Sequence, residues 1–293
     1  MPTYLDEPSR RAFEEQGFCR LPGLLPPPVL ERLRAFFDPL LVADWVPNKA
    51  VAQAPQGKVV TNLGHLFAWG DPAPLELLAL PEIMNVATAI CGDDLFVVQE
   101  FAVIKNRGDA TPVLWHQDMV HGRSAPCFAM GLYLDDADPG EGALRFVPGS
   151  HLTGAPICDL ARLPAVEVPA KAGDAIIHDM MVAHSSEPME GNALRRVIYL
   201  EFVSVALALG EAIYSLEDID NRRRLLFAAR RYRRETVPGG NCFKPRQRDP
   251  SPRDRRLPVQ QVLADIYARP LQPRPATYCF NRIPAHLGGT RSV

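Results

Sequence analysis

No stretch of this 293-residue chain approaches the roughly 18 consecutive apolar residues of a membrane span, although 47% of its residues are hydrophobic. That apolar content is available for a sizeable core instead. Charge of one sign is also lacking. With 32 basic and 34 acidic residues the net charge is −2, so the molecule as a whole advertises neither nucleic acid nor membrane. The six cysteines (Cys19, Cys91, Cys127, Cys158, Cys242 and Cys279) contain no Cys-x-x-Cys pair, which argues against a zinc site and a dense disulfide frame. They read as reduced, mostly buried thiols of a cytoplasmic protein. The opening Met1-Pro2-Thr3-Tyr4-Leu5-Asp6-Glu7 is polar and acidic, without the apolar run of a secretory signal. These absences lead to the expectation of a cytoplasmic monomer or homodimer that meets a small molecule, not a nucleic acid or a membrane.

What is present centres on Trp115-His116-Gln117-Asp118. On an extended backbone, residues two apart leave the same face, so His116 and Asp118 point together. One imidazole and one carboxylate, joined by a second imidazole from elsewhere, form the facial triad that holds non-haem Fe(II) and leaves the opposite side open. A candidate for the second imidazole is His184, in Gly173-Asp174-Ala175-Ile176-Ile177-His178-Asp179-Met180-Met181-Val182-Ala183-His184-Ser185-Ser186. Eleven residues later Arg195 opens the run Arg195-Arg196-Val197-Ile198-Tyr199-Leu200-Glu201-Phe202, whose β-branched and aromatic content predicts a strand. A metal that chelates a 2-oxo acid leaves its far carboxylate needing a fixed cation, and a guanidinium grips a carboxylate with two parallel hydrogen bonds. Ser186 can add a hydroxyl donor to the same carboxylate.

These segments resemble the phytanoyl-CoA dioxygenase (PhyH) family of Fe(II)/2-oxoglutarate-dependent oxygenases, which includes ectoine hydroxylase. His116-x-Asp118 matches the family's first two iron ligands. Gly142-Ala143-Leu144-Arg145-Phe146-Val147-Pro148-Gly149-Ser150-His151 matches its G-x-L-x-x-x-P-G-S-H segment. His184-Ser185-Ser186 with Arg195 matches the third ligand and the 2-oxoglutarate clamp, and Phe13-Glu14-Glu15-Gln16-Gly17-Phe18 resembles the opening helix and strand. The likeness runs in order over residues 10 to 205. It implies a cupin-like double-stranded β-helix, or jelly roll, mainly β with flanking helices. It also implies Fe(II), 2-oxoglutarate and O2 as cofactor and co-substrates, with succinate and CO2 as co-products. Related halogenases carry Ala or Gly in place of the carboxylate; with Asp118 present, the resemblance implies hydroxylation, desaturation or ring formation at an unactivated C–H bond. It does not name the substrate; the open loop and the basic C-terminal region fit a small metabolite, either an anionic one or one of natural-product biosynthesis.

The chain is read as one oxygenase domain over 1–293, divided into an N-terminal helical and loop region (1–95), a jelly-roll core (96–205) and a basic helical extension (206–293). Helical spacing predicts helices over 8–17, 28–42 and 75–92, the last interrupted near Pro81. Strands are predicted over 18–24, 95–104, 127–134, 143–147, 165–168, 175–177 and 195–203, with turn signals between them. Such short strands suit a double-sheet jelly roll, which can bring residues 116 and 184 together. Residues 44–72, with Trp45 and Trp69, fit neither period and read either as a long loop at the substrate mouth or as a surface connection. Between Arg222 and Arg256 there are 13 Lys or Arg against three acids. That block reads as a solvated helix (216–235) and loop paired with acidic surface of the core; a helix over 258–268 follows, and the last ten residues read as disordered.

Other polar residues compete for roles. His178 is expected to be packed or hydrogen-bonded, because as a ligand it would sit too far from Arg195. His151 is expected to be structural and His65 to lie at the surface or the mouth. Gln99 and Lys105, on a strand before the ligand segment, are candidates for 2-oxoglutarate or substrate contact. Gln99 joins Arg195 and Ser186 in the co-substrate set, and Lys105 joins Met119 and His121 in the substrate set. Arg196 should point away from Arg195. Residues 44–72, residues 119–124 and part of the basic stretch after 216 are candidates to close the open face of the metal. Two readings of another class remain. One is a cupin-like metal dioxygenase without 2-oxoglutarate, which leaves Arg195 and Ser186 nothing to hold. The other is a non-catalytic ligand-binding jelly-roll protein, in which a damaged triad would be expected.

Overall fold

The chain folds as two antiparallel sheets, and one strand shows why. In the computed structural model, which describes residues 4–106, 112–119, 124–189 and 194–280, the strand Arg195–Ser204 is buried along both faces. Val197 and Tyr199 face the second sheet, packed with Phe18, Leu144, Phe146 and Ile176. Ile198, Leu200 and Phe202 face the other way, into a cluster with Ile83, Val86, Leu225 and Leu226 from helices. A strand covered on both sides needs a near-continuous apolar run, which is what this segment has.

Numbered in chain order, the major sheet runs β1 (Phe18–Leu21), β9 (Ala175–Asp179), β6 (Cys127–Tyr133), β11 (Arg195–Ser204), β4 (Leu95–Lys105), β3 (Gly57–Gly64) and β2 (Lys49–Ala54). The minor sheet runs β12 (Thr277–Tyr278), β5 (Val113–Gln117), β10 (His184–Ser186), β7 (Leu144–Phe146) and β8 (Val166–Val168). This is the double-sheet jelly roll that the strand pattern predicts.

Helices cover the outer face of the major sheet. Helix α1 (Glu7–Gln16) starts where the Asp6 carboxylate accepts from the Ser9 amide at 2.9 Å, and ends at Gly17 with φ 89°. Helix α2 (Pro27–Phe37) opens on proline and passes into a short 3-10 turn, Asp38–Leu41. Pro81 divides the stretch 75–92 as expected, since Ala73–Ala79 is a 3-10 helix and α3 (Pro81–Cys91) begins on the proline. Short helices α4 (Ile157–Leu160) and α5 (Val205–Gly210) lead to α6 (Leu216–Thr236), capped by Ser215 and Asp218, and to α7 (Val259–Tyr267). Among the described residues no single helix is long and apolar enough to cross a membrane.

Two expectations need correction. Residues 44–72 are not a long loop, because they hold the hairpin β2–β3, which extends the major sheet beside β4. The β signal is diluted there by Lys49, Gln53, Lys58 and Asn62, the residues of an edge with one wet face. Trp45 is exposed, while Trp69 donates its indole N–H to the Gly64 carbonyl at 2.8 Å. The cysteines are not all reduced thiols either, for Cys158 and Cys279 form a disulfide across 121 positions. Nothing in their spacing could show that pairing, since it depends on β12 returning to the minor sheet beside α4.

The basic helix α6 is tied to acidic groups, but not as the solvated helix on acidic core surface that the charge pattern predicts, because Arg222, Arg224 and Arg233 are buried. Arg222 ion-pairs Glu100 on β4, with both groups buried, and Arg233 reaches the buried Glu76 at 2.9 Å. Arg224 bridges Asp254 and Asp265, both at 2.7 Å. Breaking a buried pair on one side strands a charge. Arg222→Ala is therefore expected to lower unfolding stability by about 3–5 kcal/mol in denaturant titration, and Arg222→Met with Glu100→Leu to recover most of it. Equal stability of the single variant and the parent would show that Glu100 is solvated and that the helix is held by apolar contacts alone.

Candidate active site

Strand register builds the centre of the site. In the minor sheet His116 of β5 lies directly opposite His184 of β10 on one side and Tyr278 of β12 on the other, while Phe146 of β7 pairs with His184. Four rings thus stand in one row across four strands. The two imidazoles are 4.0 Å apart between centroids, Tyr278 stacks on His116 at 4.9 Å and 13°, and Phe146 lies 5.8 Å from His184. Both imidazoles are fixed by the backbone. His116 Nδ1 donates to the Leu114 carbonyl at 2.8 Å and His184 Nδ1 to the Val182 carbonyl at 3.0 Å. With Nδ1 as the donor, the proton of a neutral ring sits there and Nε2 is the nitrogen that can offer a lone pair to a metal.

Asp118 follows β5 and is held by the opposite turn, its amide donating to the Met180 carbonyl at 2.8 Å. Its Oδ1 lies 3.4 Å from His116 Nε2 and 3.8 Å from His184 Nε2. One ligand atom from each of the three residues falls within 4.8 Å of the others, a set that could hold a metal ion. Burial pushes the Asp118 carboxyl up, but His184, His116 and His178 outweigh it and hold the group well below the usual carboxylate range. Burial, reinforced by His116, pushes His184 well below the usual imidazole range. An ionised carboxylate and a neutral imidazole are the states that ligate. His178 does not join the three; its Nε2 donates to Asp118 Oδ2 at 3.1 Å, on the far oxygen.

A narrow pocket runs inward from this triad, lined by Phe101, Leu144, Tyr199, Ser186 and Arg195. Arg195 is 1% exposed, and its Nη1 donates to the carbonyl of Gly142. Its Nε and the Ser186 hydroxyl are buried without hydrogen-bond partners among the described residues. Leaving such donors unsatisfied costs about 1–3 kcal/mol each. The pocket is therefore built for an anion with several acceptor oxygens, and the carboxylate of a 2-oxo acid fits that donor set. Gly142 has φ 77°, and a Cβ there would sit 3.1 Å from the Lys105 side chain and 3.5 Å from Arg195 Nη1, so the backbone must be glycine to approach the guanidinium. Ser150, in the turn that follows β7, accepts from the Ala183 amide at 2.8 Å, which fixes the residue before His184.

A second cavity, of about 610 Å3, opens on the triad from the other side and shares His116, Asp118, Phe101, Val103 and Val113 with the pocket. Ala52, Thr61 and Asn62 from the β2–β3 hairpin, Gln99, Ile104, Lys105 and Glu201 from the major sheet, Pro112 and Leu114, and residues 273–276 with Tyr278 complete it.

The model of the phytanoyl-CoA dioxygenase (PhyH) family matches residues 13–197. The chain belongs to that family. It is an Fe(II)/2-oxoglutarate-dependent oxygenase. Among solved structures it is similar to AviO1 from Streptomyces viridochromogenes Tue57, with 27% identity, 69% of this chain and 97% of that chain covered, and a TM-score of 0.61. EvdMO1 gives 27% identity and a TM-score of 0.62 over 68% of this chain, but the match spans only 50% of that chain. At fold level it also resembles the epimerase SnoN in complex with Fe3+, alpha ketoglutarate and nogalamycin RO, with 20% identity, 68% and 84% coverage and a TM-score of 0.59. No curated protein matches the chain.

Around this PhyH-family centre the remaining candidates fall into place unevenly. Gln99 stands on the wall of the outer cavity and not in the pocket with Arg195 and Ser186. Lys105 is buried, and its ammonium donates to the carbonyls of Ser186 and Glu187. Met119 lines a small side pocket with Asp118 and Met180, while His121 lies outside the described residues. His151 contacts the Glu14 carbonyl at 3.2 Å, and His65 packs against Tyr267 away from the metal centre. Arg196 points opposite to Arg195, paired with Asp135 at 2.8 Å. Sequence reasoning missed Tyr278 and residues 273–276. Of the chain after 216, it is this short C-terminal strap, tied down by the disulfide of Cys279, that walls the cavity. The strap has two strand residues amid prolines and offers no periodic signal.

Proposed function

We propose that this oxygenase oxidises an unactivated C–H bond of a small natural-product-type metabolite, by hydroxylation, desaturation or cyclisation, and that the 293-residue chain acts as one unit. His116, Asp118 and His184 hold Fe(II), and Arg195 with Ser186 holds the distal carboxylate of 2-oxoglutarate. The setting proposed is the cytoplasm, where the Cys158–Cys279 disulfide would have to form against a reducing poise, with the protein as a monomer or homodimer and without nucleic-acid or membrane partners. The observation that carries the reading is the pair of orphaned buried donors, Arg195 Nε and Ser186 Oγ, on the same narrow pocket as the triad. A metal dioxygenase without 2-oxoglutarate would leave both unsatisfied.

Iron and 2-oxoglutarate, when bound, supply O2 activation with release of succinate and CO2; the chain's own residues set where it acts. The backbone carbonyls of Leu114 and Val182 orient the two imidazoles. His178 holds the second oxygen of Asp118, so that one oxygen faces the metal position. Phe101, Val103 and Val113, on the shared wall of pocket and cavity, give that boundary an apolar lining that excludes water. The outer cavity places the substrate C–H beside the triad, within the size range of small-molecule sites. SnoN, an epimerase whose structure holds nogalamycin RO, supports a natural-product substrate by analogy of fold.

With Fe(II), 2-oxoglutarate and O2, the protein is expected to form succinate at a rate raised several-fold by the right metabolite. In chloride buffer the mass spectrum of the product should show oxygenation or loss of hydrogen only. Turnover independent of 2-oxoglutarate would overturn the co-substrate assignment, and a chlorinated product would overturn the role of Asp118.

A further inference from the structure

Among the described residues, the charged side chains around the outer cavity are hydrogen-bonded or exposed, with one exception, which is half-buried and unpaired. Asp118 is held by His178, Lys105 donates to two carbonyls, and Arg274 is exposed at the rim. The exception is Glu201. It lies on β11 six residues beyond Arg195, on the same face, which places it about 20 Å along the strand from the clamp at about 3.3 Å per residue. Arg195 thus serves the inner end of the site and Glu201 the outer.

Local geometry delivers the carboxyl to the cavity. Glu201 pairs across the sheet with Gln99 of β4 and Ala129 of β6, and neither makes a charged contact to it. The register with β4 shifts between Glu201 and Phe202, whose partners are Gln99 and Val97, so Val98 is the extra residue of a bulge. Bulges beside active sites re-aim side chains. Glu201 borders the outer cavity and also the side pocket of Met119, Met180, Ile213 and Tyr214, so it stands where the two meet. It has no hydrogen bond and no ion pair among the described residues. Burial, together with the acidic neighbours Asp118 and Glu100, pushes its carboxyl well above the usual range. An acid kept among acids next to a cavity is an unfavourable arrangement until a ligand supplies positive charge.

We propose that Glu201 is the substrate-anchoring residue of the outer cavity and that it takes a protonated amine of the substrate. The proposal rests on the cavity being the substrate site of the oxygenase, and it adds the substrate's chemical class. A neutral hydroxyl would satisfy one hydrogen bond of the carboxyl. An ammonium group also brings the charge that pairs with the carboxylate, and gains from the faces of Phe101, Tyr214 and Tyr278, which border the same two spaces. Arg274 at the rim is placed to meet an anionic group of a ligand, which gives the competing outcome.

The test uses three probes on one skeleton, benzylamine, benzyl alcohol and benzoate. Each is titrated calorimetrically into anaerobic protein loaded with Fe(II) and 2-oxoglutarate. Benzylamine is expected to bind at least about tenfold more tightly than benzyl alcohol, which is about 1.4 kcal/mol, with benzoate weakest. Glu201→Gln, of equal size and uncharged, should remove that advantage, and Glu201→Asp should retain part of it. Circular dichroism and 2-oxoglutarate affinity of the variants serve as folding controls. Benzoate binding tightest, equal affinities, no benzylamine binding, or an unchanged order in Glu201→Gln overturns the proposal. Failure of 2-oxoglutarate itself to bind the iron-loaded parent would instead overturn the site reading on which the proposal stands.

Discussion

Alanine at position 184 is expected to end turnover while leaving the fold in place. His184 sits on β10, whose pairing with β5 and β7 uses backbone groups, so the row of strands survives loss of the ring. What is lost is one of three ligand atoms gathered within 4.8 Å. The remaining imidazole and carboxylate hold iron weakly, and the open face is no longer defined. A drop in kcat of more than about 1000-fold corresponds to about 4 kcal/mol of transition-state stabilisation. His116→Ala and Asp118→Ala should match it, and metal analysis of anaerobically reconstituted protein should show iron lost in all three. His178 gives the contrast, because it touches Asp118 at 3.1 Å without joining the three. His178→Ala should retain iron at reduced affinity, with an effect nearer 10–100-fold, the range of an outer hydrogen-bond partner. Iron retained in His184→Ala and lost in His178→Ala would reverse the two assignments.

How far the site is legible from residues alone follows from what each part depends on. His116 and Asp118 are close in sequence, and the alternation of an extended chain puts them together. His184 and Arg195 are legible because each belongs to a segment with its own pattern. Tyr278 is not, since its stacking on His116 comes only from the register of a two-residue strand. Glu201 looks in sequence like an ordinary polar position in a strand; its importance depends on the bulge at Val98 and on the cavity that the folded chain places beside it. The hairpin over 49–64 was hidden by polar residues that an edge strand tolerates and a central strand does not. The disulfide depends on the same return of the chain as Tyr278. Patterns with a short period are thus readable, while contacts between distant segments with no period are not.

Arg195→Ala is expected to abolish 2-oxoglutarate-driven turnover at ordinary co-substrate concentrations and to leave iron binding intact. The guanidinium is buried, with one nitrogen on the Gly142 carbonyl and Nε unpaired, facing the pocket that also holds Ser186. A carboxylate entering this pocket replaces water with two charge-assisted bonds. Removing the cation leaves that carboxylate buried and unpaired, a loss of about 2–5 kcal/mol, or roughly 30- to 5000-fold in 2-oxoglutarate affinity. Arg195→Lys keeps the charge but not the planar fork and should fall between the two. Because the buried side chain also packs beside Lys105 and Gly142, lower stability alone would not prove the assignment. The decisive reading is linkage: saturating 2-oxoglutarate should raise the melting temperature of iron-loaded parent protein, by the free energy of binding to the folded state, and leave that of Arg195→Ala unmoved. An equal rise in both proteins would show that the far carboxylate is held elsewhere. The apparent KM for 2-oxoglutarate should then stay at the parent value, whereas the clamp requires it to climb with each step from Arg to Lys to Ala.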